Sequence, residues 1–206
     1  MLLLYTANTG NGRRALIMLE ECGLPYQVHK VEIGAASPKP PELLAINPEG
    51  TIPTLVDLHA AAGKPLNLRQ SAAIVLYLAE KSGAFLPQSP PERTMALEWL
   101  MFAITDIVGA NTAMYQVMTE FPQGTRQVSD FFRQQMIGFL EVCDRRLSGS
   151  DYLCGREYTV ADIALYPVFV SRRTIIDESP GLASLKRWGS RISARPAVQR
   201  ALAVFA

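Results

Sequence analysis

The sequence predicts an α/β domain followed by an all-helical domain. Over about the first eighty residues, short apolar strand-like runs alternate with runs of helical period. After the proline-rich segment 87–91 the strand signal disappears, and every later periodic segment has the helical spacing. We therefore assign residues 1–82 to the first domain and residues 91–206 to the second, with a linker at 83–90.

In the first domain, the spacing of apolar residues predicts the order strand, helix, strand, short helix, two strands and helix. The first helix has Ala15, Met18, Leu19 and Cys22 on one face and ends at Gly23. In chain order we expect strands at 2–6 and 26–33, helices at 12–22 and 42–45, strands at 53–58 and 65–68, and a helix at 71–81.

The connections predict how these strands pair. The first two are joined through a helix and should be parallel, whereas the last two should form an antiparallel hairpin around Ala61–Lys64. Ser71 is the expected N-cap of the helix that follows the hairpin.

In the second domain we expect only helices, which the periodicity places at 91–119, 126–148, 160–173, 182–194 and 196–205. Thr159 and Asp162 have the spacing of a capping box before an apolar run. That pattern favours a structural role for both residues.

The composition argues against several classes of function. The formal net charge is +1, which gives no electrostatic reason to expect binding to nucleic acid or to an anionic membrane. No apolar segment is long enough to span a bilayer. The three cysteines are far apart and form no CxxC motif, and the two histidines lack partners at metal-ligand spacing. We therefore expect a reduced, cytoplasmic protein without a metal site.

Pro53 opens an apolar strand, where it has no N–H to donate to a neighbouring strand. This can be simply a device at a sheet edge. Alternatively, the Ile52–Pro53 peptide bond is cis. The main-chain N–H and C=O of Ile52 would then point outward and pair with an extended peptide, as an added strand does.

Gln70 and Ser71 stand directly before the last helix of the first domain. In one interpretation they form a helix cap and have no further role. The same position also suits a ligand, because a helix N-terminus attracts a carboxylate and the amide oxygen of Gln70 can accept from an ammonium group. A carboxylate and an ammonium together make an α-amino acid head group.

A turn rich in Asn and Gly connects the first strand to the first helix. If an anion lies at this helix start, the hydroxyl of Thr9 and the amides near Asn11 can donate hydrogen bonds to it. Where that anion is a thiolate, such donors lower the thiol pKa. Tyr5 is another candidate, although a half-buried strand tyrosine explains it as well. Arg13 and Arg14 are expected at a solvated helix start, where either side chain could also attract a carboxylate.

Three motifs occur in order along the chain: Gly50-Thr51-Ile52-Pro53-Thr54-Leu55, Gln70-Ser71-Ala72-Ala73-Ile74 with Tyr77-Leu78, and Thr159-Val160-Ala161-Asp162-Ile163-Ala164. Together they resemble the cytosolic glutathione transferases, over essentially the whole chain. The resemblance implies a thioredoxin-like N-terminal domain, a helical C-terminal domain and a homodimer. It also implies that Pro53 is cis, that Ile52 pairs with the cysteinyl backbone of glutathione, and that Gln70 and Ser71 hold the γ-glutamyl head group.

Within that family, Thr9-Gly10-Asn11-Gly12 is similar to the bacterial nu-class enzymes, which bind glutathione disulfide or two thiols and act mainly as disulfide-bond reductases without a protein cysteine. The similarity implies that Thr9 and Asn11 face the glutathione thiol. The chain departs from the class in having Gly10 for Pro, Gln70 for Glu, and Thr51 for a commonly basic residue at the glycyl carboxylate contact.

Two functional hypotheses follow. In the first, the protein is an enzyme that activates the thiolate of its co-substrate glutathione, for disulfide reduction, for conjugation to a small-molecule electrophile, or for both. In the second, it is a catalytically weak protein of the same fold with a binding or structural role.

Overall fold

The structure is a computed structural model that describes residues 1–34, 37–60, 63–120 and 126–205. The chain divides into two units, one made of Met1–Ala84 with Arg195–Ala206 and the other of Phe85–Ala194. The division predicted from the sequence assigned everything from residue 91 onward to the helical domain. In the structure, the last helix instead belongs to the first unit.

The first unit has the predicted order of strands and helices. Its elements are β1 (Leu2–Thr6), α1 (Gly10–Cys22), β2 (Tyr26–Lys30), α2 (Pro41–Ile46), β3 (Thr54–Asp57), β4 (Leu66–Arg69), α3 (Ser71–Ser82) and, after the second unit, α10 (Pro196–Ala203). The second strand is shorter than predicted and ends at Lys30. Ala61 and Ala62 of the predicted hairpin turn lie outside the described residues.

The four strands form one mixed sheet in the order β2-β1-β3-β4. As predicted, β1 pairs with β2 in parallel and β3 pairs with β4 antiparallel. Tyr5 on β1 lies opposite Thr54 on β3, which in turn lies opposite Arg69 on β4. Tyr5, the last residue but one of β1, and Arg69, the last residue of β4, therefore flank the first residue of β3 at one end of the sheet.

Both faces of β1 are buried, as alternating side chains on a covered strand require. Leu2 and Leu4 are buried, and Tyr5 packs with Leu43 of α2 and Val56 of β3. This packing fixes the end of β1, from which the chain continues into α1.

Helix α10 is attached to α1 by ion pairs. Arg195, just before α10, donates from Nε and Nη2 to both carboxylate oxygens of Glu21, at 2.6 and 2.8 Å. Arg200 donates to Glu20 at 2.7 Å, and the hydroxyl of Tyr26 donates to the same carboxylate at 2.6 Å. These contacts place the C-terminal helix in the first unit.

The second unit is helical, as predicted. It contains α4 (Pro90–Phe102), a π-helical segment (Ala103–Ile107), α5 (Val108–Glu120), α6 (Arg126–Leu147), α7 (Val160–Ser171), α8 (Arg173–Glu178) and α9 (Ala183–Ser193). The predicted helix 91–119 is thus interrupted by a π-helical turn. None of the helices within the described residues combines the length and the apolar character needed to cross a membrane.

The predicted capping box at the start of α7 is present, with Thr159 as the N-cap and Asp162 at the third helical position. Asp162 is fully buried and also accepts hydrogen bonds from the backbone N–H of Leu153 at 3.0 Å and from Nε1 of Trp188 at 2.8 Å. Burial raises its pKa, while these hydrogen bonds act in the opposite direction. The structural interpretation of this motif is therefore confirmed.

Candidate functional site

Three of the predicted segments meet at one end of the sheet in the first unit. The turn that contains Thr9 follows β1, the segment 51–53 precedes β3, and Gln70 follows β4. The strand register places these three points side by side, since Tyr5, Thr54 and Arg69 are aligned across the sheet. Helices α1 and α3 both begin at this end of the sheet.

Thr9 is the N-cap of α1. Its Oγ1 accepts a hydrogen bond from the backbone N–H of Gly12 at 3.0 Å, so the hydroxyl proton remains available for a second partner. Gly12 is needed here because a Cβ at this position would collide with the carbonyl oxygen of Ala7 and with Oγ1 of Thr6. The helix start can therefore present a hydroxyl donor and unpaired backbone N–H groups to an anion.

Asn11, Arg14 and Ser71 form a hydrogen-bond network that joins α1 to α3. Nη1 of Arg14 donates to Oδ1 of Asn11 at 2.6 Å and to Oγ of Ser71 at 2.8 Å. Oγ of Ser71 also lies 3.4 Å from Oδ1 of Asn11. The network brings together the residues predicted for the thiol and for the head group.

Two expectations from the sequence are wrong at this network. Arg14 is not part of a solvated helix start, since it is only 1% exposed. Ser71 is not the N-cap of α3, because Gln70 occupies that position and Ser71 is the first helical residue. The Ser71 hydroxyl bonds to Arg14 and Asn11 rather than to the backbone of its own helix.

Gln70 has an unusual backbone conformation, with φ 71° and ψ 113°. Such a conformation costs of the order of 1–3 kcal/mol in a residue other than glycine, and it often occurs at binding sites. The side chain makes no capping hydrogen bond and is exposed. Its amide oxygen is therefore accessible to a cationic group of a ligand.

The Ile52–Pro53 peptide bond is cis, the second of the two alternatives from the sequence. Within the described part of the chain, neither the N–H nor the C=O of Ile52 has a hydrogen-bond partner. The segment is fixed by hydrogen bonds from Asn47, a buried residue that the sequence reasoning missed. Its Nδ2 donates to the carbonyl oxygen and to Oγ1 of Thr51, at 3.0 and 3.1 Å, and to Oγ1 of Thr54 at 3.0 Å.

Tyr5, the alternative candidate for thiol activation, lies in the core. Its ring stacks on His29 with 4.6 Å between the ring centroids, and only 9% of the residue is exposed. It packs against Leu43 and Val56. These contacts favour the second interpretation from the sequence, that Tyr5 is a strand residue with a structural role.

The protein's own cysteines are poor nucleophiles at neutral pH. Burial raises the pKa of Cys143 to about 12 and that of Cys154 to about 11. Burial also raises the pKa of the half-buried Cys22. In the ranges that the structure describes, no three His, Cys, Asp or Glu side chains are grouped so that they could hold a metal ion.

The first unit has a thioredoxin-like fold, with the predicted site residues at one end of its sheet, and the second unit is helical. Two family models match the sequence, that of the glutathione S-transferase N-terminal domain over residues 11–81 and that of the C-terminal domain over residues 110–196. The chain therefore belongs to the glutathione S-transferase family.

Individual relatives agree with this assignment. The chain is 36% identical to the disulfide-bond oxidoreductase YfcG of Escherichia coli K12, over 98% of this chain and 94% of that protein. A glutathione transferase family member from Pseudomonas fluorescens Pf-5, crystallised with two glutathione bound, is 33% identical with a TM-score of 0.86, covering 98% and 92% of the two chains. A glutathione transferase from Pseudomonas putida, with one glutathione disulfide bound per subunit, is 33% identical with a TM-score of 0.85, covering 98% and 90%.

Proposed function

We propose that the protein is a glutathione-dependent disulfide reductase in which glutathione supplies the attacking sulfur. The observation that carries the proposal is the meeting of two helix N-termini and their donor side chains at one end of the sheet. A tripeptide with a carboxylate at one end and a thiolate in the middle suits two such donor sites. The raised pKa values of all three cysteines support a nucleophile that comes from the ligand.

The proposed binding mode uses the ends of α3 and β3. The γ-glutamyl carboxylate accepts hydrogen bonds from Ser71 and the first turn of α3, and its ammonium group donates to the exposed amide oxygen of Gln70. The cysteinyl backbone pairs with the N–H and C=O of Ile52, with Pro53 fixing the direction of the chain. Thr51 lies at the glycyl end.

The glutathione sulfur then lies at the start of α1. The hydroxyl of Thr9 and the side-chain amide of Asn11 donate to it, together with the dipole of the helix. Because these groups favour the charged form, they lower the thiol pKa and raise the thiolate fraction at neutral pH.

The reaction is two thiol–disulfide exchanges. The glutathione thiolate attacks one sulfur of the substrate disulfide, so that a mixed disulfide forms and a substrate thiolate leaves. A second glutathione thiolate attacks the glutathione sulfur of the mixed disulfide and releases the other substrate thiol. Two glutathione molecules are oxidised to glutathione disulfide, and the substrate gains two electrons and two protons.

The relatives support this choice of reaction. YfcG is named a disulfide-bond oxidoreductase, and the Pseudomonas putida structure has glutathione disulfide bound. Conjugation of an electrophile uses the same thiolate and is the accompanying activity. The homodimer expected from the family resemblance and the cytoplasmic location expected from the cysteine pattern stay predictions.

A side-by-side assay tests the proposal. The purified protein is given glutathione with either a small-molecule disulfide or an aryl halide, and its retention on immobilised glutathione is measured in parallel. We expect retention and a higher catalytic efficiency with the disulfide. A higher efficiency with the aryl halide would make conjugation the main activity. Folded protein that neither binds glutathione nor turns over either substrate would support the binding or structural alternative instead.

A further inference from the structure

We propose that Arg14 is a positioning residue that holds Asn11 and Ser71 as hydrogen-bond donors toward the two anionic groups of glutathione. The sequence suggested only that Arg14 lies in solvent or attracts a carboxylate directly, and the family resemblance assigned it no role. The inference rests on the proposed function, because it explains how one buried side chain prepares both the thiol end and the γ-glutamyl end of the same site.

The first step concerns the orientation of the Asn11 amide. A guanidinium group has donors and no acceptor, so the Asn11 atom that lies 2.6 Å from Nη1 of Arg14 has to be the oxygen. The amide is planar, and its NH₂ group therefore points away from Arg14. Since Asn11 itself is exposed, that NH₂ group is a donor at the surface of the site.

The second step concerns the Ser71 hydroxyl, which can either donate or accept. Its oxygen accepts from Nη1 of Arg14 at 2.8 Å, so its proton has to go to another group. Without ligand, the hydroxyl donates to Oδ1 of Asn11 at 3.4 Å, which is a long hydrogen bond. A ligand carboxylate is a stronger acceptor and can replace it.

The third step concerns charge. Burial lowers the pKa of Arg14 to about 10, so the guanidinium group is still a cation at neutral pH. A buried cation that touches both donor residues favours anions on their outer side. Arg13 makes a useful contrast, because it lies at the surface and donates to Asn8 at 3.1 Å.

The variants that test the inference change Arg14 and, as a matched control, its neighbour. Arg14→Met removes charge and donors at similar length, Arg14→Lys keeps the charge, and Arg13→Met makes the first change at the surface. The readouts are glutathione affinity by calorimetry and the pKa of the bound glutathione thiol, from the ultraviolet absorbance of the thiolate. If Arg14 only stabilises the fold, a variant that still folds should bind glutathione with the same thiol pKa as the wild type.

We expect Arg14→Met to weaken glutathione binding at least tenfold, the scale of one lost hydrogen bond to a charged group, and to raise the pKa of the bound thiol. Arg14→Lys should recover part of both effects, and Arg13→Met should change neither. Ser71→Ala should cost less affinity in the Arg14→Met background than in the wild type, because Arg14 acts through Ser71.

Unchanged affinity and thiol pKa in folded Arg14→Met would overturn the inference, as would full additivity with Ser71→Ala. If Arg14→Met does not fold, Arg14→Gln decides, since it keeps a donor without the charge. An unchanged thiol pKa in folded Arg14→Gln would overturn the inference, and a raised one would support it. Wild-type protein that binds no glutathione would instead contradict the proposed function itself, so the two failures are distinguishable.

Discussion

The hydroxyl oxygen of Ser71 lies 3.4 Å from the side-chain amide oxygen of Asn11, although the two residues are 60 positions apart in the sequence. Each stands in the first turn of a helix, Asn11 in α1 and Ser71 in α3. Helix N-termini carry unpaired N–H groups and a partial positive charge, so their meeting creates one region that favours two anionic groups. A thiolate and a carboxylate of a single small peptide fit this region.

Removing the Thr9 hydroxyl should affect turnover more than glutathione binding. In Thr9→Ala the thiolate loses a donor, and we expect turnover to fall at least tenfold, which is less than the roughly 10²–10³-fold effect of removing a donor from an oxyanion hole. Steady-state kinetics with a disulfide substrate and calorimetric binding of glutathione measure the two effects. Thr9→Ser is the control, since it keeps the hydroxyl and the N-cap. Full turnover in both Thr9→Ala and Asn11→Ala would show that this pair does not activate the thiol.

Ser71→Ala should weaken glutathione binding in the ground state by about 1–3 kcal/mol, because the ligand carboxylate loses its hydroxyl donor. Calorimetric titration measures this directly. Ser82→Ala removes a hydroxyl from the last turn of the same helix, where Ser82 bonds to the carbonyl oxygen of Ala79, and should leave the affinity unchanged. Equal affinities of the wild type and Ser71→Ala would contradict the head-group role.

Asp57 should make stability depend on pH at acidic values. Burial raises its pKa, but hydrogen bonds from Lys81, Tyr77 and the backbone of His59 outweigh burial and lower it to about 2. A carboxyl whose pKa is lower in the folded state stabilises the fold above its unfolded pKa, and this contribution is lost between about pH 4 and pH 2.

Asp57→Asn should therefore lower the free energy of unfolding near neutral pH by about 2 kcal/mol, and the difference from the wild type should shrink as the pH falls through that range. Urea unfolding at a series of pH values measures the difference. Glu49→Gln, which alters an exposed pair with Arg69, is the control and should have little effect. A constant difference down to the lowest pH would contradict the lowered pKa.

The two ion pairs that attach α10 to α1 should differ in strength. Arg195→Ala leaves the side chain of Glu21, which is 5% exposed, without its bidentate cation, and we expect a loss of about 1–3 kcal/mol of stability, the cost of an unsatisfied buried acceptor. Arg200 is 58% exposed, so Arg200→Ala should cost at most about 1 kcal/mol. Denaturant unfolding compares the two variants, and a larger loss for Arg200→Ala would contradict this ranking.

Much of the fold was predictable because it depends on local pattern. The alternation of strands and helices, the parallel pair and the hairpin, and the capping box at Thr159 all follow from apolar spacing and turn residues. The attachment of α10 was not predictable in this way. Its contact between Arg195 and Glu21 joins residues 174 positions apart, and no local pattern carries that information.

The site was predictable at its three segments but not in its internal contacts. Arg14 was expected in solvent because it is charged and stands beside Arg13. Its helical spacing carried a contrary signal, since Arg14 lies one turn before the buried Met18 on the same face. Ser71 is in the hydrogen-bond network rather than at the N-cap because Gln70 has a positive φ. Glutamine has no preference for that backbone conformation, so the sequence did not indicate it.

The measurement that tests the central claim most directly is the pKa of the glutathione thiol when it is bound to a variant without cysteines. Changing Cys22, Cys143 and Cys154 to Ala leaves glutathione as the only thiol, so thiolate absorbance as a function of pH reports on the ligand alone. We predict that this variant still reduces disulfides and that the pKa of its bound thiol is at least about one unit below that of free glutathione. A bound thiol with the pKa of free glutathione, in a folded variant that binds it, would contradict the account.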